Sequence, residues 1–313
     1  MSVHVVIGFG PAGAATARLL AERGHSVRVV TRSGGSPEPG IEHVPLDATD
    51  GERLTEVARG ATAIHSCAAP PYHRWADAWP PLAASLYAAA EATGAVLVLL
   101  GNLYGYGPVD GPLTEDLPLA ATGTKGRARA AVWERAHELH AQGRIRAVEV
   151  RASDFFGPGV TDGGHLASRV VPPLLRGRAV SVLGDPDTPH SWTYLPDVAR
   201  ALVRVADDER AWGRPWHVPT EPARSARGMV DLLAARAGTG PVAVRRTPPA
   251  LLKLAGLFSP LVRELGEIRY QFDRPFVIGS HAYEATFAER ATPIEVQVDA
   301  TVTWWRERLA ARR

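Results

Sequence analysis

The sequence predicts an α/β fold, a doubly wound parallel sheet with a smaller, discontinuous second domain. Two observations predict it. A glycine turn sits between a strand pattern and a helix pattern at the start of the chain, and strands then alternate with helices until the pattern loosens near residue 156. With 313 residues, 45% of them apolar, the chain can bury the core of one large or two moderate domains.

The strand-like "VHVVIG" runs into Gly8-x-Gly10-x-x-Gly13, then into the helical "AATARLLAERGH" with an apolar stripe at Ala14, Ala17 and Leu20, then into the strand "SVRVVT". Strand, glycine turn, helix and strand in this order form a Rossmann-type dinucleotide site. The glycines let the backbone turn tightly and approach a pyrophosphate, and the helix amino end offers unpaired N–H groups and the positive end of its dipole. Gly8, Gly10, Pro11, Ala12 and Gly13 are therefore candidate cofactor-binding residues, for a nicotinamide dinucleotide or for FAD. An NAD site would present Asp or Glu to the ribose 2′-hydroxyl after the second strand. Here that strand ends "VVTRSGG", and Arg32 suits a 2′-phosphate because guanidinium pairs with its oxygens bidentately. NADP(H) is thus preferred over NAD(H); the plainer reading of Arg32 is a solvated turn arginine.

Further strands are read at "IEHVPLD", "ATAIHSCAA", "AVLVLLG" and "IRAVEVRASD", with helices near 51 to 59 and 80 to 93, and with "KGRARAAVWERAHELHAQGR" helical up to a glycine cap. Ligands of such sheets bind at the carboxyl ends of the strands, where Asp47, Ala68, Asn102 and Asp154 fall; Asp47 also suits a helix cap. Past 156, "HLASRVVPPLLRG" reads as helix and "AVSVLG" as strand, and "YLPDVARALVRVADD" and "PWHVPT" return to the sheet. Helices near 224 to 237, 248 to 257, 260 to 271 and 298 to 310 complete the chain. The domains expected are a dinucleotide-binding one from 1–155 and 187–218, and a substrate-binding one from 156–186 and 219–313.

The order of motifs resembles the extended short-chain dehydrogenase/reductase superfamily, its NAD-dependent epimerase/dehydratase group, over nearly the whole chain. The residues that carry the resemblance are "GFGPAGAATARLLAERGH", "PLDATD", "LVLLGNLYGYGP", "VEVRASDFFGPG" and "HSWTYLPDVARAL". It implies a cofactor-dependent enzyme, adenine held at Asp47, and the segment "SCAAPP", with Ala68 and Ala69, lying along the cofactor. It also implies a homodimer through the helices near 80 to 93 and 122 to 142.

The chain departs from that family where the chemistry is done. The family's Tyr-x-x-x-Lys pairs a tyrosine and a lysine as acid/base, but "TGTKGRARAAVWE" has no tyrosine. The local match to the spacing is Lys125-x-x-x-Arg129, which one helical turn puts on one face. Three readings stay open. Lys125 protonates or orients the substrate oxygen, with Arg129 acting on its charge and Tyr104 as another donor; or both cations only bind ribose or an acidic substrate; or the stretch is a basic helix face. Lysine occurs only at Lys125 and Lys253, which favours the first. Asn102 stands where the family has Ser or Thr, and its amide can still hydrogen-bond a carbonyl. Asp154 and His190 stand where the nucleotide-sugar branch carries Asn and Arg, so repulsion of a diphosphate rises and attraction falls.

The function expected is an NADP(H)-dependent oxidoreductase acting on a small carbonyl or secondary alcohol rather than a nucleotide sugar. Asn102 and Tyr104 polarise the oxygen and Lys125 relays the proton. The alternatives are an epimerase or dehydratase using transient oxidation, a cofactor-sensing binding protein, and a redox-neutral lyase or cyclase. A net charge of +2, evenly spread, argues against nucleic acid and anionic membranes as partners, and the opening on a strand without a leader pattern points to the cytoplasm. Cys67 reads as buried filler, and "GDPDTPH" as turn chemistry rather than a metal site. Trp304 and Trp305 belong to a closing amphipathic helix with at least one facing inward.

Overall fold

Valine- and isoleucine-rich runs in the first half become strands, and those at the centre of the sheet lose both faces to packing. The computed structural model describes residues 2–311, apart from the side chains of Lys253, Ala255, Pro260 and Leu261. In it β1 (Val3–Ile7), β2 (Ser26–Thr31), β3 (Ile41–Pro45), β4 (Ala63–Ser66), β5 (Val96–Asn102) and β6 (Arg146–Ala152) are joined through α1 (Pro11–Glu22), α2 (Gly51–Ala58), α3 (Trp75–Thr93) and α4 (Thr124–Ala141). Next come β7 (Asp154–Phe156), α5 (Val171–Leu174), β8 (Val180–Val182), β9 (Pro189–His190), β10 (Trp192–Tyr194), α6 (Leu195–Asp207) and β11 (Pro215–His217). The chain closes with β12 (Arg224–Ser225), α7 (Ala226–Ala237), β13 (Val244–Arg246), α8 (Pro249–Phe258), α9 (Pro260–Ile268), α10 (Tyr270–Asp273), α11 (His281–Phe287) and α12 (Ile294–Ala310).

Among the described residues the central sheet has seven strands, all parallel, in the order β11-β6-β5-β4-β1-β2-β3. Chain order reverses between β1 and β4, which opens a crevice at their carboxyl ends. The two-residue period of the strands sorts the core. Val5, Ile7, Ile64, Leu97 and Leu99 pack with Leu54, Leu86 and Trp133 of the helices on one face. Val6, Val27 and Val29 pack with Leu20 and Val203 on the other.

The chain divides into two compact units. The first comprises Met1–Gly107, Pro118–Ala152 and Val198–Val218; the second comprises Pro108–Leu117, Ser153–Asp197 and Pro219–Arg313. Strand–helix alternation assigns residues 108–117 to the first half. They belong with the second because the Leu113 N–H donates to the Val277 carbonyl at 2.7 Å and its carbonyl accepts from Gly279 N–H at 2.8 Å. Within that second unit β7 pairs β10 and β8 pairs β13, while Arg306 of α12 donates to the Ala237 carbonyl of α7 at 2.8 Å.

Proline misleads the sequence reading twice. α3 starts at Trp75 rather than near 80, with Pro80 and Pro81 inside it. Both prolines are exposed, and burial of Trp75, Trp79 and Leu82 on the opposite face offsets their missing N–H bonds. "HLASRVVPPLLRG", read as a helix, holds only the single turn of α5, with its prolines in the first turn, where their missing N–H groups cost nothing. Trp305 is buried and Trp304 only partly so. No helix among the described residues is long and apolar enough to cross a membrane.

Two histidines lie inside the sheet. His4 Nδ1 and His65 Nε2 are 3.1 Å apart, and Ser2 Oγ is 2.9 Å from His4 Nε2 and 2.7 Å from His25 Nδ1. Burial lowers the pKa of His4 to about 4 and that of His65 to about 3. The unfolded chain binds these protons near pH 6.5 and the folded chain resists them, so the stability is whole above pH 6.5 and is lost as pH falls toward the folded values. Denaturant melts should show stability falling between pH 6.5 and 5, by about 2 kcal/mol per histidine at pH 5. A flat profile over that range would contradict the buried neutral pair.

Candidate functional site

The glycine turn is built by close approach. Gly8 has φ +90°, and a Cβ there would lie 2.8 Å from Ala68 Cα; a Cβ on Gly13 would overlap the Gly8 carbonyl. Gly10 differs, since nothing lies within 4 Å of where its Cβ would be. That open space faces the start of α1, which has Gly10 as its cap, Pro11 in its first turn, no side-chain cap and no acidic residue there. Ala12 and Gly13 are buried behind it. A concave surface of backbone N–H groups without its own anion suits a pyrophosphate, so these residues fit a dinucleotide.

Arg32 is exposed directly after β2. Asp47 is also exposed, and its Oδ1 accepts from Thr49 N–H at 3.0 Å and from Thr49 Oγ1 at 2.9 Å, which holds its carboxyl below the usual range. The helix cap is Asp50 instead, accepting from Arg53 N–H at 3.1 Å. Ala68 is half-buried beside Gly8 and Ala69 is exposed. Burial pushes the Cys67 thiol up to about 12, which leaves it inert as a nucleophile near neutral pH.

Asn102 is the last residue of β5, and its Oδ1 accepts from the Tyr104 N–H at 3.1 Å, so its amide nitrogen is the donor end. Tyr104 opens a 3-10 turn, Tyr104–Tyr106, that presses on the first turn of α4. Gly126 permits that contact: a Cβ there would overlap Ala121 and lie 2.5 Å from the Tyr104 carbonyl. Lys125 precedes it and is 1% exposed, a depth at which a lysine must be held by its surroundings.

A residue that the sequence reading missed completes this corner. The Tyr72 hydroxyl lies 2.5 Å from the Tyr104 hydroxyl, and Lys125 Nζ lies 5.8 Å from the centre of the Tyr72 ring. Trp75 packs on both tyrosines, 4.8 Å from Tyr72 and 6.0 Å from Tyr104 between ring centres, and its indole N–H donates to the Pro70 carbonyl at 2.8 Å. Tyr72 follows the "SCAAPP" segment, which is the one signal that could have found it. No spacing links it to a partner 32 residues away.

Arg129 does not join them as a second site cation. It is buried with its Nη2 donating to the Leu100 carbonyl at 2.5 Å and standing 3.7 Å from Glu149, while its guanidinium caps the Trp79 ring at 4.5 Å. Burial, partly opposed by Glu149, lowers its pKa. One helical turn puts Lys125 and Arg129 on one face, but Glu149 claims the second.

Asp154 and His190 lie in the second unit, bonded to each other: Nε2 to Oδ2 is 2.8 Å, and His190 Nδ1 donates to the Gln271 carbonyl at 3.1 Å. Burial raises the Asp154 pKa, but the His190 hydrogen bond and charge outweigh it and leave the carboxyl below its usual value. Asp187 forms a two-pronged ion pair with Arg227 at 2.6 and 3.0 Å. Among the described residues no three His, Cys, Asp or Glu are grouped to hold a metal ion.

The profile of the NAD-dependent epimerase/dehydratase family matches residues 5–218. The chain belongs to this family. At the level of sequence, no curated protein matches it significantly. Its fold is shared with a dTDP-glucose 4,6-dehydratase from Bacillus anthracis solved with NAD, at TM-score 0.80 and 17% identity over 98% of this chain and 97% of that one. A UDP-glucose 4-epimerase from Thermotoga maritima solved with UDP-glucose gives 0.81 and 18% over 98% and 99%. A UDP-glucuronic acid 4-epimerase from Bacillus cereus solved with NAD gives 0.74 and 14% over 97% of each chain.

The family is one of NAD-dependent enzymes, and this member keeps the glycine turn while Ala121 stands four residues before Lys125. Because Gly126 leaves no room for a side chain, Gly126→Ala should lower stability by about 1–3 kcal/mol in denaturant melts, an overpacking cost. Unchanged stability would show that α4 and the Tyr104 turn do not bear on each other.

Proposed function

We propose that this family member is an NADP(H)-dependent oxidoreductase acting on a small carbonyl or secondary alcohol. The observation that carries the reading is that Asn102 ends β5, Tyr104 sits in the turn packed on the first turn of α4 and Lys125 lies buried in that first turn, all in the same unit as the glycine turn. When bound, the cofactor supplies or accepts the hydride. Gly8, Gly10, Pro11, Ala12 and Gly13 hold its pyrophosphate, Asp47 its adenine end, and Ala68 and Ala69 line its path. The Asn102 amide and the Tyr104 hydroxyl polarise the substrate oxygen, and Lys125 brings N–H donors to the same corner. In place of the family's lysine-paired tyrosine these groups provide general acid/base catalysis.

Arg32 supports NADP(H) over NAD(H), since an exposed guanidinium beside the second strand meets a 2′-phosphate with charge-assisted bonds. In titrations followed by energy transfer from tryptophan to the reduced nicotinamide, NADPH should bind well ahead of NADH. Arg32→Ala should weaken NADPH about 10- to 100-fold and leave NADH unchanged. Binding of neither cofactor would remove the basis of the oxidoreductase reading. On a panel of carbonyls, Lys125→Met should cost at least about 100-fold in turnover; full turnover in that variant would remove Lys125 from the catalytic machinery.

A second reading, epimerisation or dehydration through transient oxidation, is favoured by family membership and by solved relatives that act on nucleotide sugars. The Asp154 carboxylate argues for a substrate less anionic than theirs, because it adds repulsion to any diphosphate nearby. Calorimetry of the NADP⁺-loaded protein should therefore give no binding of UDP-glucose or dTDP-glucose at millimolar concentration. Micromolar binding of either would favour the second reading.

A further inference from the structure

We propose that Tyr72 and Tyr104 together take the place of the tyrosine missing before Lys125: Tyr104 gives its proton to the substrate oxygen, and Tyr72 gives one to Tyr104. The inference rests on the oxidoreductase reading and deepens it.

The missing group is a phenol, and α4 cannot supply one. Ala121 occupies the position one turn before Lys125, and no tyrosine occurs between residues 107 and 193. Two phenols reach the corner by other routes, Tyr104 from the turn after β5 and Tyr72 from the turn Tyr72–Arg74 before α3. Their oxygens are 2.5 Å apart, a short hydrogen bond in which either can donate. Whichever hydroxyl accepts that bond still carries a proton of its own.

This geometry answers what a lone phenol in an apolar corner lacks. Losing a proton leaves a phenolate, which is costly where the half-buried pair packs against the Trp75 ring. A phenol O–H already aimed at that oxygen becomes a charge-assisted donor at the moment the charge appears. The Lys125 amino group over the Tyr72 ring places positive charge or N–H donors on the same side.

The step balances in protons and electrons. In reduction the carbonyl carbon gains a hydride supplied by the reduced dinucleotide, the C=O π pair moves onto oxygen, and that oxygen takes the Tyr104 proton. The Tyr104 phenolate takes the Tyr72 proton, and water restores Tyr72. Oxidation of an alcohol runs the same transfers backward. Tyr104 is then the catalytic residue, and Tyr72 positions and recharges it.

A plain structural latch between the turn and the strand end would show the same distance, so the test needs readouts that a latch would not move. Full-length Tyr72→Phe should bind NADPH as the parent does, which shows the cofactor site intact. On the panel carbonyl that the parent reduces fastest, kcat should fall about 10- to 100-fold with KM nearly unchanged. The alkaline limb of the reduction profile should move to higher pH, because Tyr104 has lost the donor that stabilises its phenolate. Tyr104→Phe and the double variant should be equally slow, as expected of groups that act as one unit.

A substrate-free readout stands beside these. In cofactor-free protein labelled with 3-fluorotyrosine and assigned with the single variants, the ¹⁹F titration of Tyr104 should shift to higher pH in Tyr72→Phe. An unmoved Tyr104 titration, or unchanged kcat and pH profile, overturns the proposal and leaves a latch. Absence of NADPH binding in the parent overturns the oxidoreductase reading instead, and the fluorine titration still decides whether the two phenols share a proton.

Discussion

One buried carboxylate organises the end of the sheet on which this enzyme corner stands. Glu149 of β6 is 2% exposed and accepts from Arg151 Nε at 2.6 Å, with Arg129 of α4 at 3.7 Å. Arg151 in turn donates to the Tyr106 hydroxyl at 2.6 Å, and that hydroxyl lies 2.8 Å from His217 of β11. The network thus ties β6, β11, α4 and the Tyr104–Tyr106 turn at one point. Removing one partner of such a buried pair leaves an uncompensated charge, at a cost of about 3–5 kcal/mol. Even the neighbouring strand is shaped by it, since a Cβ on Gly101 would lie 2.5 Å from the Glu149 carboxylate oxygen.

With α4 and the turn so anchored, Lys125 and Tyr104 have little freedom of placement. Under the proposed reading, that anchoring lets phenols from elsewhere stand in for the tyrosine missing at the usual spacing. A proton donor is defined by where its oxygen sits, not by its distance in sequence from a lysine, and loops from two strand ends can bring a phenol to the corner that a helix turn would otherwise serve. The early start of α3 matters here. Trp75 and Trp79 enter the helix despite two prolines; Trp75 packs on the tyrosine pair, and the Arg129 guanidinium lies over the Trp79 ring.

The cofactor half and the substrate half were unequally legible. Gly8 and Gly13 announce themselves because the turn needs a positive φ at the first and leaves no room for a Cβ at the second, constraints that local sequence specifies. Asp154 and His190, two departures from the family pattern 36 residues apart, are hydrogen-bonded to each other, a relation that neither residue reveals alone. Arg129 shows the opposite failure. Its helical spacing from Lys125 was read correctly, yet its guanidinium turns to the Leu100 carbonyl, the Trp79 ring and Glu149, which spacing along α4 cannot foresee.

The sequence by itself determined the order of strands and helices, the Rossmann-type sheet, the dinucleotide turn and the family, because hydrophobic period and glycine placement are local constraints that repeat along the chain. Only the tertiary structure decided which polar groups meet. Residues 108–117 pair far along the chain, Arg129 turns to a buried carboxylate, and Tyr72 reaches Tyr104 across 32 residues. Such meetings depend on how loops close over a packed core and on which partner satisfies each buried charge, and neither leaves a periodic trace in the sequence.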